Sequence, residues 1–137
     1  MSHGALVVID AANVVGSVPD GWWRDRAGAT AALRDRLDPV VLHRLVGGAN
    51  PPELVLVVEG RARGVTSTDR VRVVAASGSG DDTVVALVAA EDAGRDRVVV
   101  TADRELIRRV QAVGARVLGP RSVRNNQQLP DHNVNHP

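Results

Sequence analysis

The stretch Ala5-Leu6-Val7-Val8-Ile9-Asp10-Ala11-Ala12-Asn13 decides the fold. Its apolar run shows no polar alternation, which predicts a strand buried on both faces of a parallel sheet. The run ends on an aspartate at the strand's carboxyl end. Four further runs rich in β-branched residues share the pattern: Leu54–Val58, Val71–Ala75, Arg97–Val100 and Arg116–Leu118. Helical spacing lies between several of them. Ala27–Val46 carries Ala32, Leu33, Leu37, Val40, Val41 and Leu45, with Pro39 splitting it in two. Asp81–Ala93 carries Val84, Val85, Leu87 and Val88, with Gly94 as its C-cap. Asp103–Val113 carries Leu106, Ile107 and Val110, closed by Gly114. Strand alternating with helix predicts an α/β domain with helices on both faces of a parallel sheet.

A chain of 137 residues fits one such domain, over residues 1–124. Residues 125–137 (NNQQLPDHNVNHP) are polar, amide-rich and aperiodic, and read as a frayed tail. With no Phe or Tyr, and only Trp22 and Trp23, the core must be built from Val, Leu and Ala. All 17 basic side chains are Arg, the better bidentate phosphate ligand. A net charge of +1 gives no bulk attraction to nucleic acid, so any basic surface is local. The absence of cysteine excludes disulfides, thiolate metal sites and a cysteine nucleophile. The N-terminus lacks a basic leader region, and its apolar run is too short for a signal peptide or a membrane span. A cytoplasmic location with no membrane contact is the expectation; whether copies form a homo-oligomer is left open.

The chemistry lies in the acidic residues. Ligands of open α/β sheets bind beyond the carboxyl ends of the strands. Asp10 follows the first strand, Asp103 follows the fourth, and Asp81 and Asp82 open a helix after Ser77-Gly78-Ser79-Gly80. With Asn13 they can converge on one spot. Gathered carboxylates repel and need a cation, and an all-oxygen donor set favours Mg²⁺ or Mn²⁺ over zinc. Such a site suits phosphodiester hydrolysis. The competing reading is local: Asp81 and Asp103 as helix N-caps and Asp82 as a dipole partner. Asp10, followed by Ala-Ala-Asn, has no evident capping role.

The runs Val-Val-Ile-Asp10-Ala-Ala-Asn13-Val-Val-Gly16, Gly80-Asp81-Asp82 and Val-Thr101-Ala-Asp103-Arg-Glu105-Leu106 resemble the NYN domains of the PIN-like nuclease superfamily. YacP-like bacterial ribonucleases are among these, and the likeness spans roughly Leu6 to Leu118. It implies a PIN-like three-layer sandwich with strand order 3-2-1-4-5, which sets the first and fourth strands side by side. It also implies a divalent-metal site of Asp10, Asp81, Asp82 and Asp103. In that site Asp10, Asp82, Asp103 and Asn13 would be the catalytic group. The implied activity is a metal-dependent endoribonuclease acting on single-stranded RNA or structured loops; the alternative is an inactive PIN-like RNA-binding or partner-binding module.

Other residues carry less specific signals. Glu59 ends the second strand and can join the acidic site or pair with Arg61. Arg61, Arg63, Arg70 and Arg72 surround a loop, and Arg104 follows Asp103. Arg61, Arg63 and Arg104 are the candidate phosphate ligands, and Trp22 is a candidate base-stacking surface or a core-packed helix anchor. Gly78 and Gly80 lack the Lys-Ser/Thr of a P-loop. The serines lack a partner base, with histidines only at positions 3, 43, 132 and 136. A phosphatase of the haloacid-dehalogenase type would need a second Asp two residues beyond Asp10, where Ala12 stands.

Overall fold

Each central strand sends successive side chains to opposite faces, and both faces are apolar. In the computed structural model, which describes residues 4–124, β1 (Leu6–Asp10) is buried along its whole length. Val7 and Ile9 enter one core with Leu54, Leu56, Val98 and Val100, while Leu6 and Val8 enter a second with Val55, Val57 and Val99. The strands β2 (Glu53–Val58), β3 (Val71–Ala75), β4 (Arg97–Val100) and β5 (Arg116–Leu118) complete an all-parallel sheet. Its order is β3-β2-β1-β4-β5. The first core is covered by α1 (Ala11–Gly16), α2 (Arg26–Arg36) and α3 (Pro39–Val46). The second is covered by α4 (Gly80–Ala90) and α5 (Arg104–Ala112), giving three layers. A fully buried Val or Leu stabilises by roughly 1.5–3 kcal/mol, so many aliphatics suffice where aromatics are absent.

The split at Pro39 holds, while the helix faces and ends are in part revised. Pro39 does split the long helical pattern: Leu37 and Asp38 are extended, and the Asp38 carboxylate accepts from the Val40 N–H at 2.9 Å. The new helix starts in a new phase, so Leu42 and Val46 are buried whereas Val40 and Leu45 face solvent. The helix from Asp81 ends at Ala90, and Gly94 is no C-cap; Glu91 is extended, and the Asp92 side chain takes the Gly94 N–H into a local turn. The six-residue α1 has no counterpart in the sequence reading. The expected polar tail lies outside the described residues.

Gly114 does close α5. At φ +98° it lets its own N–H reach Gln111 O at 3.1 Å and the Ala115 N–H reach Val110 O at 3.0 Å, a Schellman motif. Against it lies Arg97, only 8% exposed, whose Nη1 donates to Val88 O at 3.2 Å and Val113 O at 2.9 Å. One buried cation thus serves the C-terminal ends of two helices, where the dipoles favour positive charge. Arg97→Met would leave those carbonyls without this donor. The expected loss is about 2–4 kcal/mol in urea unfolding, with Gly114→Ala also destabilising because its Cβ would collide with the Arg97 guanidinium.

Candidate active site

The carboxyl ends of β1 and β4 lie side by side, with Ile9 in register with Val100. Asp10 closes β1 and is only 4% exposed. Its Oδ2 accepts from the Thr101 hydroxyl at 2.9 Å and its Oδ1 from the Asn13 N–H at 3.5 Å. It is therefore the N-cap of α1, a role the sequence did not suggest. Thr101 Oγ1 in turn accepts the Asp103 N–H at 3.1 Å, and Asn13 Oδ1 accepts the Ala102 N–H at 2.8 Å. The loop after β4 is thus fixed to β1 and α1 by two side chains. Thr101 is a positioning residue, visible in the sequence only as the first member of the Thr-Ala-Asp spacing.

Asp103 caps α5, its Oδ1 accepting from the Leu106 N–H at 3.0 Å, so the capping reading holds there. For α4 the cap is Ser79, not Asp81. Asp81 stands in the first turn of α4, half-buried, and among the described residues its carboxylate has no hydrogen bond or ion pair. Asp82 is exposed and pairs with Arg109 of α5 at 2.9 Å. Glu59, just beyond β2, accepts the Gly80 N–H at 3.0 Å rather than pairing with Arg61. A Cβ on Gly80 would stand 2.9 Å from that carboxylate, so the glycine permits the approach.

Electrostatics ties these groups together. Burial pushes the Asp10 carboxyl up to about 6, against the bonds from Thr101 and Asn13, with the charges of Asp81 and Glu59 adding to the rise. Burial also raises Asp81, followed by the charges of Asp103 and Glu59, while Arg109 acts in the opposite direction. The chain therefore brings Asp10, Asp81, Asp103 and Glu59 within electrostatic reach. It does not gather them into a cage: among the described residues no three Asp, Glu or His side chains are placed to hold a metal ion as they stand. Four of the five carboxylates are already engaged, Asp10, Asp103 and Glu59 by N–H or O–H donors and Asp82 by Arg109. The donor chemistry nonetheless fits a hard divalent cation, whose charge would offset both the burial that raises Asp10 and Asp81 and the smaller repulsion from neighbouring carboxylates.

The candidate phosphate ligands Arg61, Arg63 and Arg104 are exposed and form no ion pair among the described residues. Arg61 lies in the 3₁₀ turn Gly60–Ala62 after β2, Arg63 directly follows it, and Arg104 opens α5, all at the carboxyl end of the sheet. Arg70 and Arg72 are instead paired, with Asp38 at 3.7 Å and Glu53 at 3.6 Å. Trp22 lies half-buried in the 3₁₀ turn Trp22–Arg24, which connects α1 to α2.

This sheet order and its surrounding helices are those of a PIN-like α/β fold. Among solved structures, Rae1 (YacP) from Bacillus subtilis is similar in fold: its W164L mutant matches with a TM-score of 0.71 at 15% identity, covering 95% of this chain and 79% of that one. A second Rae1 (YacP) structure from the same organism gives 0.68 at 15% identity, over 98% and 80%. No family model matches the sequence, and no curated protein does.

The raised Asp10 has a consequence for stability. Its folded value of about 6 exceeds the ordinary 3.8, so between these the folded state holds more proton than the unfolded one. The penalty is absent below 3.8, grows as pH rises, and is complete above about 6, where it corresponds to about 3 kcal/mol. Asp10→Asn should therefore be more stable than wild type by about 1–3 kcal/mol at pH 7. Urea titrations at two pH values check this: the advantage should shrink to about 0.5 kcal/mol at pH 4.

Proposed function

We propose that the chain is a ribonuclease that hydrolyses phosphodiester bonds of RNA at this acidic edge with Mg²⁺ or Mn²⁺. The observation that carries this reading is that Thr101 ties Asp10 to the Asp103 backbone where strand order reverses, between β1 and β4, with the Asp81 charge felt at this edge. Support comes from two separate features. The local motifs resemble YacP-like ribonucleases, while the backbone resembles the fold of Rae1 (YacP).

Asp10, Asp81 and Asp103 would hold the cation, with Asp82 a further ligand or the group that orients the attacking water. Bound there, the cation would polarise that water and offset charge developing on the phosphate. The chain's own contribution is placement. Thr101 holds Asp10, Asn13 holds the loop that carries Asp103, and Glu59 fixes the start of α4 from which Asp81 projects. Arg61, Arg63 and Arg104 would draw the phosphate backbone toward an edge that otherwise repels it.

A second reading, a non-catalytic PIN-like RNA-binding or partner-binding module, is favoured by one observation. Asp10 and Asp103 both cap helices, and Asp82 is spent on Arg109. The two separate in a cleavage assay on single-stranded and hairpin RNAs. The ribonuclease reading expects cleavage in Mn²⁺ and a loss of about a hundred-fold or more in Asp10→Asn, together with a higher melting temperature of wild type in millimolar Mn²⁺. Equal inactivity of wild type and variant overturns the ribonuclease reading in favour of the second.

A further inference from the structure

The acidic chemistry makes no use of Trp22. This indole stands against Gly16, where a Cβ would meet its ring at 3.5 Å, and it borders a small cavity shared with Ala11, Ala12, Arg26 and Glu59. Ala11 and Ala12 directly follow Asp10, and Glu59 belongs to the acidic edge, so the cavity opens beside the proposed scissile position. The Arg26 guanidinium lies over the Trp22 ring at 5.4 Å from its centroid and has no carboxylate partner among the described residues. It also reaches the turn that carries Arg61: a Cβ on Gly60 would stand 3.8 Å from Arg26 Nη1. An indole face and the uncompensated Arg26 guanidinium thus lie together on one flank of the carboxylates, next to the turn from which Arg61 extends.

We propose that this flank is a subsite for one unstacked nucleobase of single-stranded RNA, with Trp22 as the stacking surface and Arg26 as the ligand of an adjacent phosphate. The inference rests on the ribonuclease reading for its ligand. The open space is only about 20 Å³, so a base enters by taking the place of the Arg26 guanidinium on the ring. That exchange runs downhill. An exposed cation–π contact stabilises less than a base stacked on an aromatic side chain, and the displaced guanidinium gains a charge-assisted bond to phosphate. A base still paired in a duplex keeps its own stacking neighbours and cannot enter.

Trp23→Phe leaves Trp22 as the sole indole, and residue 23 is itself largely exposed. Titrating this variant in EDTA with a single-stranded oligoadenylate octamer should quench its fluorescence saturably, and an RNA duplex of equal length should not. By anisotropy of a labelled octamer, Trp22→Leu should bind about ten-fold more weakly or worse, and Trp22→Phe should recover most of the loss. Arg26→Gln, which sits on the surface and leaves the ring in place, should reduce the salt dependence of binding by about one phosphate contact. Absence of quenching, equal quenching by duplex, or unchanged affinity in Trp22→Leu overturns the subsite; an unchanged salt slope in Arg26→Gln overturns the role of Arg26. Assaying Trp23→Phe for cleavage in Mn²⁺ separates the two proposals. Quenching without cleavage keeps the subsite and removes the ribonuclease reading, and cleavage without quenching does the reverse.

Discussion

The Thr101 hydroxyl joins the two halves of the acidic edge. It donates to Asp10 Oδ2 and accepts the Asp103 N–H, so one oxygen sets both the carboxylate that ends β1 and the start of α5. A buried carboxylate needs such a donor, because an ionised group removed from water without partners is strongly destabilising. The bond is also directional. With its proton committed to Asp10, the hydroxyl has only lone pairs to offer the peptide N–H, so the chain of bonds runs one way. Asn13 repeats the linkage one residue along through Ala102. Together they prevent the loop after β4 from moving independently of β1, which is what a site assembled from two strands requires.

Charge is distributed unevenly around that linkage. Many arginines are occupied by structural duties: Arg95 bridges Glu53 and Glu91, Arg116 grips Asp96, and Arg97 is buried against backbone carbonyls. Near the carboxyl edge Arg109 is paired with Asp82, but Arg26, Arg61, Arg63 and Arg104 carry no paired carboxylate among the described residues. A chain with a net charge of only +1 can therefore present a local positive rim around a negative centre. Surface ion pairs elsewhere contribute little to stability individually, but they determine which cations remain free.

The legible part of the sequence was whatever repeats along the chain. Five aliphatic runs became five strands with ends within a residue of those read, because strands buried on both faces admit no polar interruption. Gly114 and Pro39 acted through backbone stereochemistry alone, and so were readable. What escaped depends on tertiary approach. Glu59 meets Gly80 across 21 residues, and Arg97 reads as an ordinary strand-opening charge until two helix ends close over it. The six residues of α1 are too few to show a period, which hid the capping role of Asp10. Its placement at the sheet's carboxyl end was legible; its bonding was not.

The centrality of β1 has a consequence for the order of assembly. β1 takes its partners from far along the chain: Leu6 pairs in register with Glu53 on one side and with Arg97 on the other. Loop closure on that scale opposes early formation, so the sheet's middle is completed late. Asp10 and Thr101 are separated by 91 residues, and their bond forms only when β4 has docked. A growing polypeptide that has not yet delivered β4 has its first aspartate but no site. Whatever chemistry the acidic edge performs is thereby withheld until β4 has joined β1.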